Sequence, residues 1–302
     1  MRNKDKHMLS NKQWDEIYNI GYMDGQDIKS IAAEGMYRGG EKLISDKLKT
    51  NQYLPHNIEE VVKAGIKALE KDIIILKDAR GIEIEIKNAL KEKKGYSLIR
   101  LGDGELLALA HDILLRSEKI KENPRLNFLS YAGIDIPNHQ FRDRLTNSIL
   151  QASAAIGIPP ARFPAYQRLF NRLATFHKLP LKNLNLTHSV INYYLNNSTT
   201  VYHDLLKNKK VLLIGNRMEE GKEYFEKEGY NSIVASITVN GINSITSVIE
   251  QTKLYNYDVA LVSAGIPANI ICVELAKMNK VALDFGHMIG NLLSKSTFLS
   301  KD

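Results

Sequence analysis

The sequence predicts an α/β protein with a Rossmann-like, mostly parallel sheet and helices on both faces, preceded by an N-terminal helical region. From about residue 82 onward, short apolar runs alternate with helical stretches, and strands buried on both faces have such continuous apolar runs. Before about residue 78, apolar residues recur at helical spacing. We therefore place the domain boundary near residue 80, with a helical region at 1–80 and an α/β domain at 81–302.

The N-terminal region is predicted to consist of helices joined by glycine-flanked segments. Residues 11–21 and 57–76 both carry apolar side chains at helical spacing. Between them lie two aromatic segments bounded by glycine, residues 21–25 and 35–40. Such small residues suit close helix packing, so we expect a structural role in oligomerisation or targeting.

The elements of the α/β domain follow in order. The predicted helices span residues 82–93, 105–115, 141–152 and 164–176. The predicted strands span residues 96–101, 154–158, 210–215, 232–236, 258–263 and 281–285. Ligands of open parallel sheets bind beyond the carboxyl ends of the strands. Four of these ends lead into polar or glycine-rich residues, which are residues 100–105, 215–217, 263–265 and 284–287.

Composition excludes several classes of protein. With 302 residues, 44% hydrophobic and 25% charged, the chain is an ordinary globular protein rather than a disordered one. No apolar run reaches the roughly 18 to 20 residues that span a bilayer, and the polar residues 1–7 predict no signal peptide. Cys272 is the only cysteine, which excludes an internal disulfide or a cysteine-based zinc site. The expected location is cytoplasmic.

The net charge of +7 favours anionic partners. The basic residues are interleaved with acidic ones, as in residues 85–94, and no basic tract with interleaved aromatics is present. Nucleic acid is therefore not a predicted partner.

The acidic turn after the first strand is the strongest candidate for chemistry. Asp103 and Glu105 lie two residues apart, bounded by Gly102 and Gly104. Two carboxylates held together repel each other unless a cation lies between them or one binds a proton, and oxygen ligands suit Mg²⁺ or Mn²⁺. Glycine lets the backbone turn sharply and a diphosphate approach closely. The alternative is that Asp103 only caps the following helix.

Residues 99–105, with the sequence IRLGDGE, resemble the R-x-G-D-G-E signature of the GT-D type bacterial glycosyltransferases, whose Asp-x-Glu motif binds a divalent metal. Residues 281–287, VALDFGH, resemble the final DxGH strand end of that family, and residues 210–216 and 262–265 resemble two of its turns. The resemblance covers about residues 85–295, whereas the segment at 187–194 is only loosely similar.

The resemblance implies a metal-dependent transfer of a hexose from a UDP-sugar to a sugar or glycoconjugate acceptor. Its implied cofactor is Mn²⁺ or Mg²⁺, and its partners are a nucleotide-sugar donor and a glycan or glycoprotein acceptor. The N-terminal helices lie outside the resemblance; a homo-oligomer through them is one open alternative, beside docking to a membrane or to another partner. The implied catalytic residues are Asp103, Glu105, Asp284 and His287, with Asp103 and Glu105 as the metal ligands. The implied binding residues are Arg100, Gly102, Gly104, Asn192, Asn216 and Gly265.

Several of these residues have a structural alternative. Arg100 can form a bidentate contact with a phosphate or an ordinary salt bridge with a neighbouring acid. Gly265 can offer an amide to the nucleotide or simply allow a tight turn. Asp284 and His287 can activate an acceptor hydroxyl or form a structural hydrogen bond.

Two other functions remain open from the sequence. Residues 211–217 begin like a dinucleotide fingerprint, but no G-x-G-x-x-G follows, and an enzyme using NAD or S-adenosylmethionine is the first rival. A nucleotide-sensing or scaffold protein without catalysis is the second. UDP binding that requires manganese would favour the transferase over the first rival, and turnover of a UDP-sugar would distinguish it from the second.

Overall fold

A computed structural model describes most of the chain. The described residues are 35, 39–123, 126–130, 132–152, 155–160 and 164–301. The predicted helix at 11–21 and the first glycine-flanked segment lie outside them, as does part of the second. The chain divides into two compact units, a smaller one within residues 19–75 and a larger one that contains residues 76–301. None of the helices in the described ranges combines the length and the apolar character that a membrane span requires.

The smaller unit contains α1 (Glu41–Ser45), α2 (Ile58–Ala68) and a 3₁₀ turn (Glu70–Asp72). A capping box begins α2, because the Asn57 side chain accepts from Glu60 N at 3.0 Å and Glu60 accepts from Asn57 N at 3.1 Å. The sequence predicts a helix to residue 76, but α2 ends at Ala68. No residue of α2 is buried, so the packing that usually extends an amphipathic helix is missing from the described part of this unit.

The larger unit alternates strands and helices. Its strands are β1 (Tyr96–Arg100), β2 (Ala155–Ile158), β3 (Asn185–His188), β4 (Val211–Gly215), β5 (Ile233–Ile237), β6 (Val259–Ser263) and β7 (Val281–Asp284). Its helices are α3 (Ala79–Glu92), α4 (Asp103–Ala110), α5 (Ser117–Glu122), α6 (His139–Leu150), α7 (Pro164–Phe176), α8 (Ile191–Ser198), α9 (Val201–Asn208), α10 (Met218–Lys227), α11 (Ile245–Thr252), α12 (Pro267–Lys277) and α13 (Met288–Leu293). Short 3₁₀ turns span Asn127–Leu129, Leu181–Asn183 and Ile242–Ser244.

The seven strands form one sheet in the order β3-β2-β1-β7-β6-β4-β5, and every pair of neighbours is parallel. This confirms the predicted fold class. The register pairs Leu98 of β1 with Leu283 of β7. The carboxyl ends of these two central strands are therefore neighbours, although they are far apart in the sequence.

Helices cover both faces of the sheet. On one face, alternate strand residues such as Leu98 and Leu283 share a buried core with Ile82 of α3, Ile191 of α8 and Phe225 of α10. On the other face, α12 packs against β1, β6 and β7, and α6 packs against α12. Burial on both sides explains why the strands are continuous apolar runs.

Two elements of the larger unit differ from the sequence-based expectation. The first is β3, which was not predicted; it is a short edge strand, NLTH, with only two buried residues. The second is the helix expected at 105–115, which runs from Asp103 to Ala110. It ends because His111 adopts an extended conformation and is buried, where its Nε2 accepts from Asn138 N at 3.0 Å. The other predicted elements of this unit lie within about three residues of the observed ones, and α7 has the predicted bounds.

Candidate functional site

The acidic turn lies at the carboxyl end of β1, where Gly102 is the N-cap of α4. Gly102 N donates to Glu105 Oε2 at 2.9 Å, and Gly104 N donates to Asp103 Oδ1 at 2.8 Å. Asp103 is exposed and Glu105 is half-buried. Each carboxylate thus uses one oxygen on a local amide, which leaves its other oxygen as the atom that can face a ligand.

The environment of Glu105 disfavours the negatively charged form of its carboxyl group. Burial, followed by the nearby carboxylate of Asp284, raises the pKa of Glu105 to about 7, although Arg100 acts in the opposite direction. A cation brought to this turn would relieve the same electrostatic penalty.

The donor set suits a metal only in part. Among the described residues, no three His, Cys, Asp or Glu side chains come together in a group that could hold a metal ion. Protein sites for Mg²⁺ commonly supply one or two carboxylates, and water and substrate phosphates complete the octahedron. Asp103 and Glu105 fit that kind of incomplete site, not a closed cage of protein ligands.

Arg100 joins the ends of β1 and β7 to the segment that follows β3. Its Nη2 lies 2.9 Å from Asp284 Oδ1, and its Nη1 donates to Ser189 O at 3.0 Å and to Asn192 Oδ1 at 3.1 Å. The structure thus forms the salt bridge that was the alternative interpretation of Arg100. Both terminal nitrogens are engaged within the protein.

The β7–α13 turn contains the predicted pair Asp284 and His287. Asp284 is buried, and its Oδ1 also accepts from Gly286 N at 3.0 Å. His287 is exposed and is the N-cap residue of α13. Among the hydrogen bonds of the described residues, none joins the two side chains, so the alternative of a structural hydrogen bond between them is not formed. Of the two side chains, His287 is the exposed one.

The glycine-rich turns meet at the same edge. A Cβ on Gly104 would lie 3.2 Å from Ile266 Cγ1, which places the acidic turn against the β6–α12 turn that contains Gly265. Gly265 has a φ of +61°, so the tight-turn interpretation holds for its backbone. Asn216 is exposed in the turn between β4 and α10. Asn192, in contrast, is fully buried, and its Nδ2 donates to Phe285 O at 3.2 Å.

Sequence reasoning missed three contributors. Asn269, buried in the first turn of α12, donates to Arg100 O at 3.2 Å. The Ser189 carbonyl accepts from Arg100, and the Ser263 hydroxyl donates to Gly286 O. Asn269 carried a usable signal, because it is the polar residue within the apolar run PANIICV and buried polar groups require partners. A backbone carbonyl such as that of Ser189 leaves no signal in a sequence.

Fold and site together define an open, parallel α/β protein with an acidic, glycine-bounded turn at the carboxyl edge of its sheet. The chain belongs to the GT-D family, because the model of the GT-D fold-like domain matches residues 78–292. The matched region contains the whole sheet and every predicted site residue.

Solved structures with a similar fold share little sequence with this chain. One, described as "the highly conserved domain of unknown function 1792 has a distinct glycosyltransferase fold", is 17% identical with a TM-score of 0.48, covering 71% of this chain and 79% of that one. A selenomethionine structure of a domain of unknown function 1792 is 18% identical, with the same coverage and TM-score. A third, described as a new glycosyltransferase from Streptococcus sanguinis, is 16% identical with a TM-score of 0.47 and covers 72% and 82%. No curated protein matches the chain.

Proposed function

We propose that this protein is a glycosyltransferase that takes a hexose from a UDP-sugar, depends on Mn²⁺ or Mg²⁺, and transfers the sugar to a hydroxyl of a glycan or glycoprotein acceptor in the cytoplasm. The observation that supports this most is the placement of Asp103 and Glu105 together in the first turn of α4. That turn lies at the carboxyl edge of the sheet, where ligands of this fold class bind, and inside the region matched by the GT-D family model.

Asp103 and Glu105 would hold the metal through their carboxylate oxygens. When bound, the metal supplies charge neutralisation for the departing UDP. The N-termini of α10 and α12, which follow the turns with Asn216 and Gly265, would attract the diphosphate, because helix N-termini favour anions. Gly102 would keep the acidic turn free of a side chain that obstructs the nucleotide, and Gly104 lets that turn pack closely against Ile266.

The acceptor hydroxyl needs a base that it can reach. Asp284 is buried and its Oδ1 accepts from Arg100 and Gly286 N, whereas His287 is exposed at the start of α13. We therefore assign the base to His287 and an orienting role to Asp284. General base catalysis of this kind contributes about 10²- to 10⁴-fold.

The metal site can be tested by calorimetric titration of UDP with and without MnCl₂. We expect UDP binding that requires Mn²⁺, and losses of at least about 100-fold in Asp103→Ala and Glu105→Ala, since even the loss of residues that support a metal ligand costs 10- to 100-fold. The matched control is Glu60→Ala, which removes the same capping contact from α2. Unchanged UDP binding in both site variants would refute the metal assignment.

The reaction can be tested by measuring release of UDP from a panel of UDP-hexoses. His287→Ala should lower the metal-dependent turnover by at least about 100-fold while UDP affinity stays within about threefold. A thermal shift with S-adenosylmethionine or NAD in place of UDP would instead support the first rival. Metal-dependent UDP binding with no turnover of any UDP-sugar would support the nucleotide sensor.

A further inference from the structure

We propose that Arg100 is a positioning residue that joins the loops around the site, and that Asn192 acts through it. The inference rests on the proposed function, which supplies UDP and a UDP-hexose as the ligands of its test. The resemblance implies that Arg100 and Asn192 bind the ligand. In this proposal the two residues instead belong to a single network inside the protein.

Both terminal nitrogens of the Arg100 guanidinium already have acceptors within the protein. Its Nη1 has two acceptors, Ser189 O and Asn192 Oδ1, and its Nη2 has Asp284 Oδ1, all at 2.9 to 3.1 Å. These acceptors belong to the loop after β3, to α8 and to the end of β7. A phosphate that took the place of one of these acceptors would leave a buried polar group without its partner, which costs about 1–3 kcal/mol.

The surroundings of Arg100 also bury most of its side chain away from solvent. Only 16% of its side chain is exposed, and a Cβ on Gly286 would lie 2.0 Å from Nη2. The guanidinium therefore lies directly against the backbone of the β7–α13 turn. Its Nε is buried and has no hydrogen-bond partner among the described residues, so it too does not face an open cleft.

Asn192 uses both ends of its amide in the same network. Its Oδ1 accepts from Arg100, and its Nδ2 donates to Phe285 O. The side chain is fully buried, so in this arrangement it reaches no sugar. Its contacts instead fix the guanidinium on one side and the β7–α13 turn on the other.

The network connects the acidic turn to the turn that ends in His287. The backbone of Arg100 leads directly into the acidic turn, and its guanidinium holds the turn that ends in His287. A misplacement of about 1 Å between reacting groups can cost on the order of 100-fold in rate. Loosening the network should therefore lower turnover more than it lowers nucleotide affinity.

The test compares Arg100→Lys, Asn192→Ala and the double variant. Lysine keeps the charge but cannot reproduce the planar fork. The matched control is Asn196→Ala, also on α8, whose buried amide donates to Phe298 O instead. Turnover of UDP-glucose, or of the UDP-hexose with the highest turnover in the panel, is measured with Mn²⁺ beside UDP affinity. Hydrogen exchange of residues 284–290 is followed in the ligand-free protein.

We expect both single variants to lose at least about tenfold in kcat, with UDP affinity within about threefold. The double variant should be no worse than Arg100→Lys alone, because residues that act through one another are not additive. Exchange at 284–290 should rise in both and not in Asn196→Ala. A large loss of UDP affinity with retained kcat in Arg100→Lys, or losses that multiply in the double variant, would overturn the proposal.

The proposed function can fail separately. If the wild-type protein neither binds UDP with Mn²⁺ nor turns over a UDP-hexose, the glycosyltransferase assignment is wrong. Hydrogen exchange in the ligand-free protein then decides the network by itself, since unchanged exchange in both variants would refute it.

Discussion

A side chain at position 286 has no room, because Arg100 lies against the backbone there. Gly286 also has a φ of +57°, which costs an L-residue about 1–2 kcal/mol. We expect Gly286→Ala to lower the free energy of unfolding by about 2–4 kcal/mol, since displacement of the guanidinium adds to the backbone strain. Denaturant unfolding measures this loss.

The matched control for this variant is Gly229→Ala. Gly229 has a φ of +88°, but a Cβ there would meet no atom within 4 Å. It should therefore lose only the backbone part, about 1–2 kcal/mol. Equal losses of unfolding free energy in the two variants would show that Arg100 can move away from position 286 without destabilising the protein.

At the scale of residues, the sequence predicted the candidate site best where the chemically important residues are close together in the chain. Asp103 and Glu105 share a short turn, so their proximity followed from the single residue that separates them in the chain. The partners of Arg100 lie 89 to 184 positions away. Which of them it would meet depends on the strand order, and no local pattern encodes that order.

At the scale of elements, α2 presents an apolar face that the described residues leave exposed. Val62 is 49% exposed and Ile66 is 57% exposed, and both line a groove of about 360 Å³ together with Ile58, Glu59 and Lys63. Exposed apolar stripes of this kind favour association. They are consistent with the expected homo-oligomer through the N-terminal helices.

We expect Val62→Glu combined with Ile66→Glu to lower the mass of the protein in solution to that of a monomer. Each charge would have to be buried in the contact, which is unfavourable without a partner. Light scattering after size exclusion measures the mass. Leu254→Glu, which changes a residue 79% exposed in the larger unit, is the control, and an unchanged mass in the double variant would argue against this face.

The elements also show where a sequence pattern fails. Apolar runs correctly predicted six strands, because burial on both faces demands them. β3 was not predicted, because Leu186 is the only apolar residue among its four. α4 was predicted too long because the conformation of His111 depends on Asn138, which lies 27 residues away.

At the scale of the whole molecule, the fold class was predictable but the strand order was not. Alternating helices and apolar runs require a parallel sheet with crossovers. They do not state that β7 returns to lie beside β1. That return brings Asp284 to Arg100 and so completes the site. The DxGH resemblance indicated that residues 281–287 share a site with the acidic turn, but it did not indicate which atoms would meet there.

The boundary between the two parts of the chain can be tested by truncation. The sheet and its core lie within residues 79–299, so we expect residues 76–302 to fold alone and to retain UDP affinity with Mn²⁺. A fragment that begins at 81, the boundary drawn from the sequence, should be less stable by about 2–4 kcal/mol. It loses the Asp78 cap of α3, worth about 1 kcal/mol, and the hydrogen bonds that join Lys77 to Leu186 and Thr187 of β3. Thermal and denaturant unfolding of the two fragments measure the difference. Equal stabilities would place residues 76–80 outside the folded domain, and a 76–302 fragment that fails to fold would show that the larger unit needs the N-terminal region.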